Sequence, residues 1–410
     1  MMPTAATATR QWPWRLSGAL VFLAALGAGC EGASPRPLGH TVTDSAGVRL
    51  VSSARPAWDS AGAWVIDTTP LRAVGGDERD SMAILQLVAG AMRQSDGTLV
   101  VADRGSSQLK YFDGSGRLLR TVGRKGRGPG EFEYIAWLLA CSGDSAFVAD
   151  IGNRLVSVVA PDGRLTRRFA METSEGTGTP FTTSCARSGR VVTTGWGDLR
   201  RSLGQQRPFR PDVPVDLATT HGGGTRRTLG RFPGTEMVPL PGGGGPRAGG
   251  RWLHAAMGPN ALWLAPNDGR GLLRYDSLGT LTLVARYGGG DPPLTAADAR
   301  FLTRVILDSL PIARQREQVE RELALHPFPD RLPQHFALAV DARDHLWVQR
   351  PPRAADPDPA WDVLSPDGAW LGRISLPRGA RPLEIGADYL VAVRTGEHGG
   401  EIVAEYRVRR

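Results

Sequence analysis

Residues 96–123, DGTLVVADRGSSQLKYFDGSGRLLRTVG, decide the fold because they recur. Shifted by 47 residues, the same frame is filled without a gap by residues 143–170, GDSAFVADIGNRLVSVVAPDGRLTRRFA. Shifted by 163 it returns at Asn260 as NALWLAPNDGRGLLRYDSLGTLTLVARYG. Each copy is a set of short apolar, β-type runs bounded by Asp/Gly turns. At this spacing such runs form four-stranded blades repeated around an axis. The expected fold is all-β, a six-bladed β-propeller of four-stranded blades over residues 46–410. Blades one to five cover about 86–123, 135–170, 181–232, 252–288 and 335–376. The last strands, near 389–393 and 401–408, have no partner after them. Strands from the N-terminal segment, at 47–52 and 63–68, would complete that blade and remove the exposed edge. The count is six, or seven if residues 46–86 hold further strands.

One segment breaks the β pattern. Thr295 followed by Asp298 reads as a helix N-cap with its acidic third residue, and an amphipathic run follows. Pro311 interrupts it, and residues 312–325 resume helical spacing. A helical insertion of about 291–330 is therefore expected between blades four and five. The glycine runs at 222–224 and 242–250 lack the Lys-Ser/Thr of a phosphate loop and precede no helix.

The first 29 residues stand outside this fold. Arg10 and Arg15 precede an apolar run, residues 16–26, too short to span a bilayer, and Gly27-Ala28-Gly29 lead into Cys30. This resembles a bacterial lipoprotein signal, which implies cleavage after residue 29, lipid on Cys30 and a tether over 30–45. Membrane attachment would be through the lipid alone. Glu31, where Asp would signal retention, resembles outer-membrane sorting, facing periplasm or surface. Of the three cysteines, Cys141 and Cys185 remain. Each lies just before the first turn of a blade, two and three, so a disulfide between them is expected in an exported chain.

Loss of the leader removes two arginines and no acid, taking the net charge from +8 to +6. Lys110 and Lys125 are the only lysines among 49 basic residues, and arginine is scattered and not blocked. That distribution, with export, argues against a nucleic-acid partner.

Strands a to d of a blade alternate in direction, so the a–b and c–d turns share one face of the ring. The b–c loops and d-to-a links share the other. The first set is uniformly tight. The second holds the loop at 123–132, the interruption at 196–211, the helical insertion and the excursion at 351–359. Long, variable loops on a rigid scaffold are where binding concentrates. The frame projects Asp103, Arg104, Asp150, Asn153, Arg154, Arg270, Arg350 and Arg394 onto this face after b strands. Ile135, Arg251 and His335 open a strands near the channel. Arginine at most blades suits an anionic ligand, a carboxylate, phosphate or acidic glycan. The competing reading is that Asp–Arg pairs brace neighbouring blades. The candidate ligand site is Asp103, Arg104, Asp150, Asn153, Arg154, Arg251 and His335, overlain by residues 295–325.

The runs Val100-Val101-Ala102-Asp103 and Phe147-Val148-Ala149-Asp150, with the loop Gly126-Arg127-Gly128-Pro129-Gly130-Glu131-Phe132, resemble NHL-type six-bladed propellers. The chain from Cys30 onward is similar to six-bladed propeller lipoproteins of bacterial envelopes. The resemblance implies a monomeric binding platform for an envelope protein or an anionic small molecule or glycan. It also allows a second class, since related rings include metal-dependent lactonases, esterases and amidating lyases. The chain has no Gly-x-Ser-x-Gly elbow, His-Glu-x-x-His or Cys-x-x-Cys. The leading expectation is therefore binding without catalysis or cofactor. The alternative is a divalent-metal hydrolase or lyase, with Ca2+ at the channel mouth held by donors among Asp103, Asp150, Asn153, His254 and His335.

Overall fold

The computed structural model describes residues 39–410, apart from 60–61, 77–79, 171–179, 187, 196–204, 220–225, 241–242, 311, 359 and 397–398. The leader, Cys30, the tether to residue 38, the glycines at 222–224 and most of the 196–211 interruption lie outside the described residues.

Six antiparallel blades surround one axis. Blade one is Val88–Arg93, Leu99–Asp103, Gln108–Phe112 and Leu118–Val122, strands a to d. Blade two is Ile135–Ser142, Ser145–Asp150, Leu155–Val159 and Leu165–Ala170. Blade three, Pro180–Ala186, Arg190–Gly195, Asp212–Thr219 and Arg227–Pro233, carries the expected interruption between strands b and c. Blade four holds His254–Met257, Ala261–Ala265, Leu272–Asp276 and Leu281–Tyr287, and blade five Ala337–Val340, Leu346–Gln349, Trp361–Leu364 and Trp370–Ile374. In blade six, Arg381–Ile385, Tyr389–Thr395 and Glu401–Arg409 are joined by Arg72–Val74, with Val65–Ile66 continuing the same edge. The N-terminal segment thus closes the ring.

Strand position in the blade explains the sequence pattern. The b strands lie between two neighbouring blades and are buried along their length, hence near-continuous apolar runs such as LVVAD and AFVAD. The d strands face solvent on one side and alternate, as in LTRRFA. Six apolar clusters, one at each blade-to-blade interface, run unbroken around the ring. Trp263 and Trp347 are fully buried in two of them, each contributing about 3 kcal/mol of burial. Near the axis the a strands approach so closely that a Cβ on Gly90 would lie 2.7 Å from the Leu138 carbonyl.

Two N-terminal expectations are corrected. The tether expected over 30–45 is, at His40–Ser45, a strand hairpinned with Val48–Ser53. That hairpin does not close the ring; Val48–Ser53 runs parallel to Leu281–Tyr287 and widens blade four to six strands. Val51, buried at 1%, anchors it in the cluster between blades four and five.

The insertion forms helices α1, Ala296–Asp308, and α2, Ala313–Leu325. Thr295 and Asp298 make the reciprocal capping box read from the sequence. Asp298 also pairs with Arg353 at 2.6 Å and accepts from the Ala354 N–H, tying α1 to the blade-five b–c excursion. Helix α2 has no buried residue and stands off the ring. At the foot of the insertion, His326 bonds the Pro239 carbonyl and Arg247 the Pro327 carbonyl. These bonds join it to a small hairpin, Met237–Leu240 with Gly243–Pro246, in the link between blades three and four. Among the described residues no helix is long and apolar enough to cross a membrane.

Candidate functional site

On the face carrying the b–c loops, the repeat aspartates are scaffold. Asp103, 2% exposed, accepts from the Gln86 and Gly105 N–H groups and from the Ser106 hydroxyl. It also pairs with buried Lys110 at 2.9 Å. Asp150, 1% exposed, accepts from the N–H groups of Glu133, Tyr134 and Asn153 and from the Asn153 amide. In both blades the last residue of strand b thereby holds the link arriving at its own strand a. Asn153 adds a bond to the Gly126 carbonyl, fixing the loop whose Phe132 fills the core between blades one and two. Blade four does the same with Asn267, which donates to the Trp252 and His335 carbonyls.

The candidate residues therefore separate. Asp103, Asp150 and Asn153 point their polar atoms at the backbone. Arg154, at φ 56°, is exposed and carries no side-chain partner among the described residues. Arg270 pairs with Asp268 at 2.5 Å, and Arg350 lies 3.9 Å from Asp362. No three His, Cys, Asp or Glu side chains converge as metal ligands among the described residues.

The remaining arginines gather at the axial mouth in two couples. Arg104 bonds the Ile135 carbonyl at 2.6 Å and the Ala136 carbonyl at 3.3 Å, and stacks 4.6 Å from the Tyr134 ring. Arg381, opening strand a of blade six, donates to the Val88 carbonyl of blade one. Across the axis, Arg210 reaches the carbonyls of Gly234, Pro266 and Asn267. Arg251 pairs with Asp291 at 2.8 Å and lies 4.0 Å from Glu236. Every one of these contacts bridges blades or their links. Yet Arg104, Arg210 and Arg381 make no ion pair among the described residues: carbonyls position their charge.

The electrostatics agree. Desolvation lowers the pKa of Arg210, with Arg251 adding to the effect and Asp268, Glu236 and Asp212 opposing. Desolvation likewise lowers that of Arg381, opposed by Glu401 and reinforced by Arg104. Glu401, the acid beside that couple, turns a carboxylate oxygen to the Val88 N–H. Beside the Arg210 and Arg251 couple lie two histidines. His254 opens strand a of blade four, half-buried, and His335 is buried at 7% exposure with Nδ1 unpartnered. Burial pushes both down to about 4; His335 and Arg210 further depress His254, while Asp291 pulls His335 upward. Both are neutral at pH 7.

Sequence reading missed Arg210 and Arg381. Arg210 sits at the end of an interruption with no frame to index it. Arg381 was findable: residues 386–393, GADYLVAV, repeat the frame of GDSAFVAD. The preceding residues are therefore an a strand beginning near Arg381.

The chain is thus a six-bladed β-propeller with an arginine-rimmed mouth, and it is similar at low identity to several solved structures. A DUF4221-family protein from Bacteroides vulgatus is 12% identical, covering 85% of this chain and 99% of that one, with a TM-score of 0.45. A gluconolactonase from Xanthomonas campestris is 14% identical, covering 87% and 99%, with a TM-score of 0.41. A catalytically inactive virginiamycin B lyase from Staphylococcus aureus is 12% identical, covering 78% and 80%, with a TM-score of 0.38. No protein-family model and no curated protein matches the chain. Likeness at this level concerns the fold alone, so chemistry has to come from the residues of this chain.

Proposed function

We propose that the protein is a binding propeller whose axial mouth holds a small anion. One observation carries this reading: Arg104, Arg210 and Arg381 are positioned by backbone carbonyls, with no ion pair among the described residues, around one opening. A guanidinium so held is preorganised and keeps N–H donors for a planar oxyanion. The like-charge couples are relieved when an anion enters between them. Neutral His254 and His335 supply neutral ring edges beside the charge. The lipoprotein-like leader and Cys30 support a place for the ring at the bacterial envelope, anchored by lipid as a monomer. The loop at 126–132 supports kinship with NHL-type propellers. This reading requires no cofactor and no catalytic step.

The test is calorimetry and thermal melting of the purified protein with succinate, phosphate and glucarate, against uncharged analogues of matched size. Anions should bind and raise the melting temperature, with affinity reduced roughly tenfold or more by Arg210→Gln or Arg381→Gln. Uncharged analogues matching the anions would overturn the reading.

A further inference from the structure

Directly beneath the mouth, the axial channel widens into a cavity of about 450 Å³, within the size range of small-molecule sites. Its wall takes Ala91, Leu138, Cys185, Ala255, Leu338 and Leu383, one from each blade. Ala255 follows His254, and Pro382, also in the wall, follows Arg381. The cavity lining thus begins one residue step, about 3.3 Å, below the charged rim. It continues down to the a–b turns at Gly258-Pro259 and Asp341-Ala342. Five wall residues in succession, 338 to 342, give a depth of about 13 Å, room for a chain of about ten carbons.

The two ends differ in what they offer a ligand. The upper rim carries Arg104, Arg210 and Arg381, whereas the lower wall contains Glu384 and Asp341. Glu384 accepts from the Arg93 N–H, and Asp341 is held by Arg410 at 2.8 Å and by the Trp347 indole. At the floor the Arg410 guanidinium and the Trp347 indole are already taken by Asp341, so an anionic group would be drawn to the rim.

We propose that the ligand of the mouth is an amphipathic organic acid, with one carboxylate at the arginine rim and an unbranched apolar tail in the axial cavity. This rests on the anion-binding reading of the rim and adds the class of ligand. The carboxylate satisfies Arg381 and its neighbours, and the tail displaces channel water from Ala, Leu and Met side chains. A second acid on the tail end would meet Glu384 and Asp341.

The experiment is isothermal titration of the full chain with hexanoate, octanoate and decanoate, each below its micelle concentration, then with longer chains, octanol and the ten-carbon dicarboxylate sebacate. Affinity should rise about fourfold per methylene, at one ligand per chain, and stop rising near ten carbons. Sebacate should bind more weakly than decanoate. Ala255→Phe should bring the plateau to shorter chains; should that variant fail to fold, the wild-type plateau and the sebacate comparison decide alone. Short anions binding with no chain-length dependence would overturn the inference and leave the rim reading intact. Octanol binding as tightly as octanoate, indifferent to Arg381→Gln, would overturn both. Chain-length dependence without a plateau, or with many ligands per chain, would mark surface adsorption and overturn the inference.

Discussion

The aspartates that end the b strands show how a side chain can look functional in sequence and be architectural in space. An acid at the end of a b strand, on the loop face, is well placed for a ligand. It is equally well placed to cap the N–H groups of the link beneath it, and in Asp103 and Asp150 the caps win. Asp103 also neutralises Lys110, and both side chains are at most 4% exposed. Removing one partner of a buried pair leaves an uncompensated charge, so Asp103→Asn should cost about 3–5 kcal/mol. Asp150→Asn, which strands no ammonium, should cost less, about 1–3 kcal/mol. Urea unfolding of both variants checks the order, and equal costs would contradict the assigned role of Lys110. The mouth histidines make a second prediction. Their folded pKa values, about 4, lie below the unfolded value of about 6.5. Between these values the unfolded chain binds more protons, so stability is complete above pH 6.5 and falls as pH drops toward 4. For buried His335 the loss is roughly 3 kcal/mol by the lower limit. His254 contributes less because it is less buried than His335. The double variant His254→Gln with His335→Gln should show a shallower decline in melting temperature from pH 7 to 4.5. An unchanged slope would mean the pair does not titrate with folding.

At the scale of elements, what could be read early was whatever repeats or is capped locally. The turns at Asp96-Gly97 and Gly143-Asp144 are followed by b strands in register, and Thr295 with Asp298 begins α1 as its capping chemistry requires. Elements whose partner is distant in sequence were less legible. Val48–Ser53 has strand composition, but nothing local says it will lie parallel to Leu281–Tyr287 and not in the seam of the ring. That choice depends on Val51 matching the cluster between blades four and five. The closing strand, Arg72–Val74, is only three residues long, and its pairing with Val403 to Glu405 is set by the ring. The site shares this limit. Arg104 and Arg251 were named because the repeat indexes them, whereas Arg210 follows an insertion that loses the frame. The mouth exists only where blades from both halves of the chain meet.

For the whole molecule, the ring has two kinds of fastening. At blade six, strands from both ends of the propeller domain pair through backbone hydrogen bonds and a buried Arg72–Glu405 ion pair at 2.7 Å. Between blades two and three, Cys141 and Cys185 are covalently joined, their Cα atoms 5.3 Å apart and 44 residues apart in sequence. The disulfide links the lower ends of two innermost strands, both of which line the channel. Closing a loop of that length removes denatured-state entropy worth about 4 kcal/mol in the chain-entropy description. Spread over a domain this large, that corresponds to a melting shift on the order of 5 °C. Reductant should therefore lower the melting temperature of the wild-type protein. Cys185→Ser should start from the lowered value and ignore reductant. Anion affinity measured well below the transition should be the same in both, because Arg104, Arg210 and Arg381 are braced by carbonyls at the opposite end of the channel. If reduction weakened anion binding without lowering the melting temperature, the disulfide would be acting on the mouth through the channel wall and not through the unfolded chain. Coincident loss of both would mean that the wall between blades two and three opens as one unit when the bond is broken.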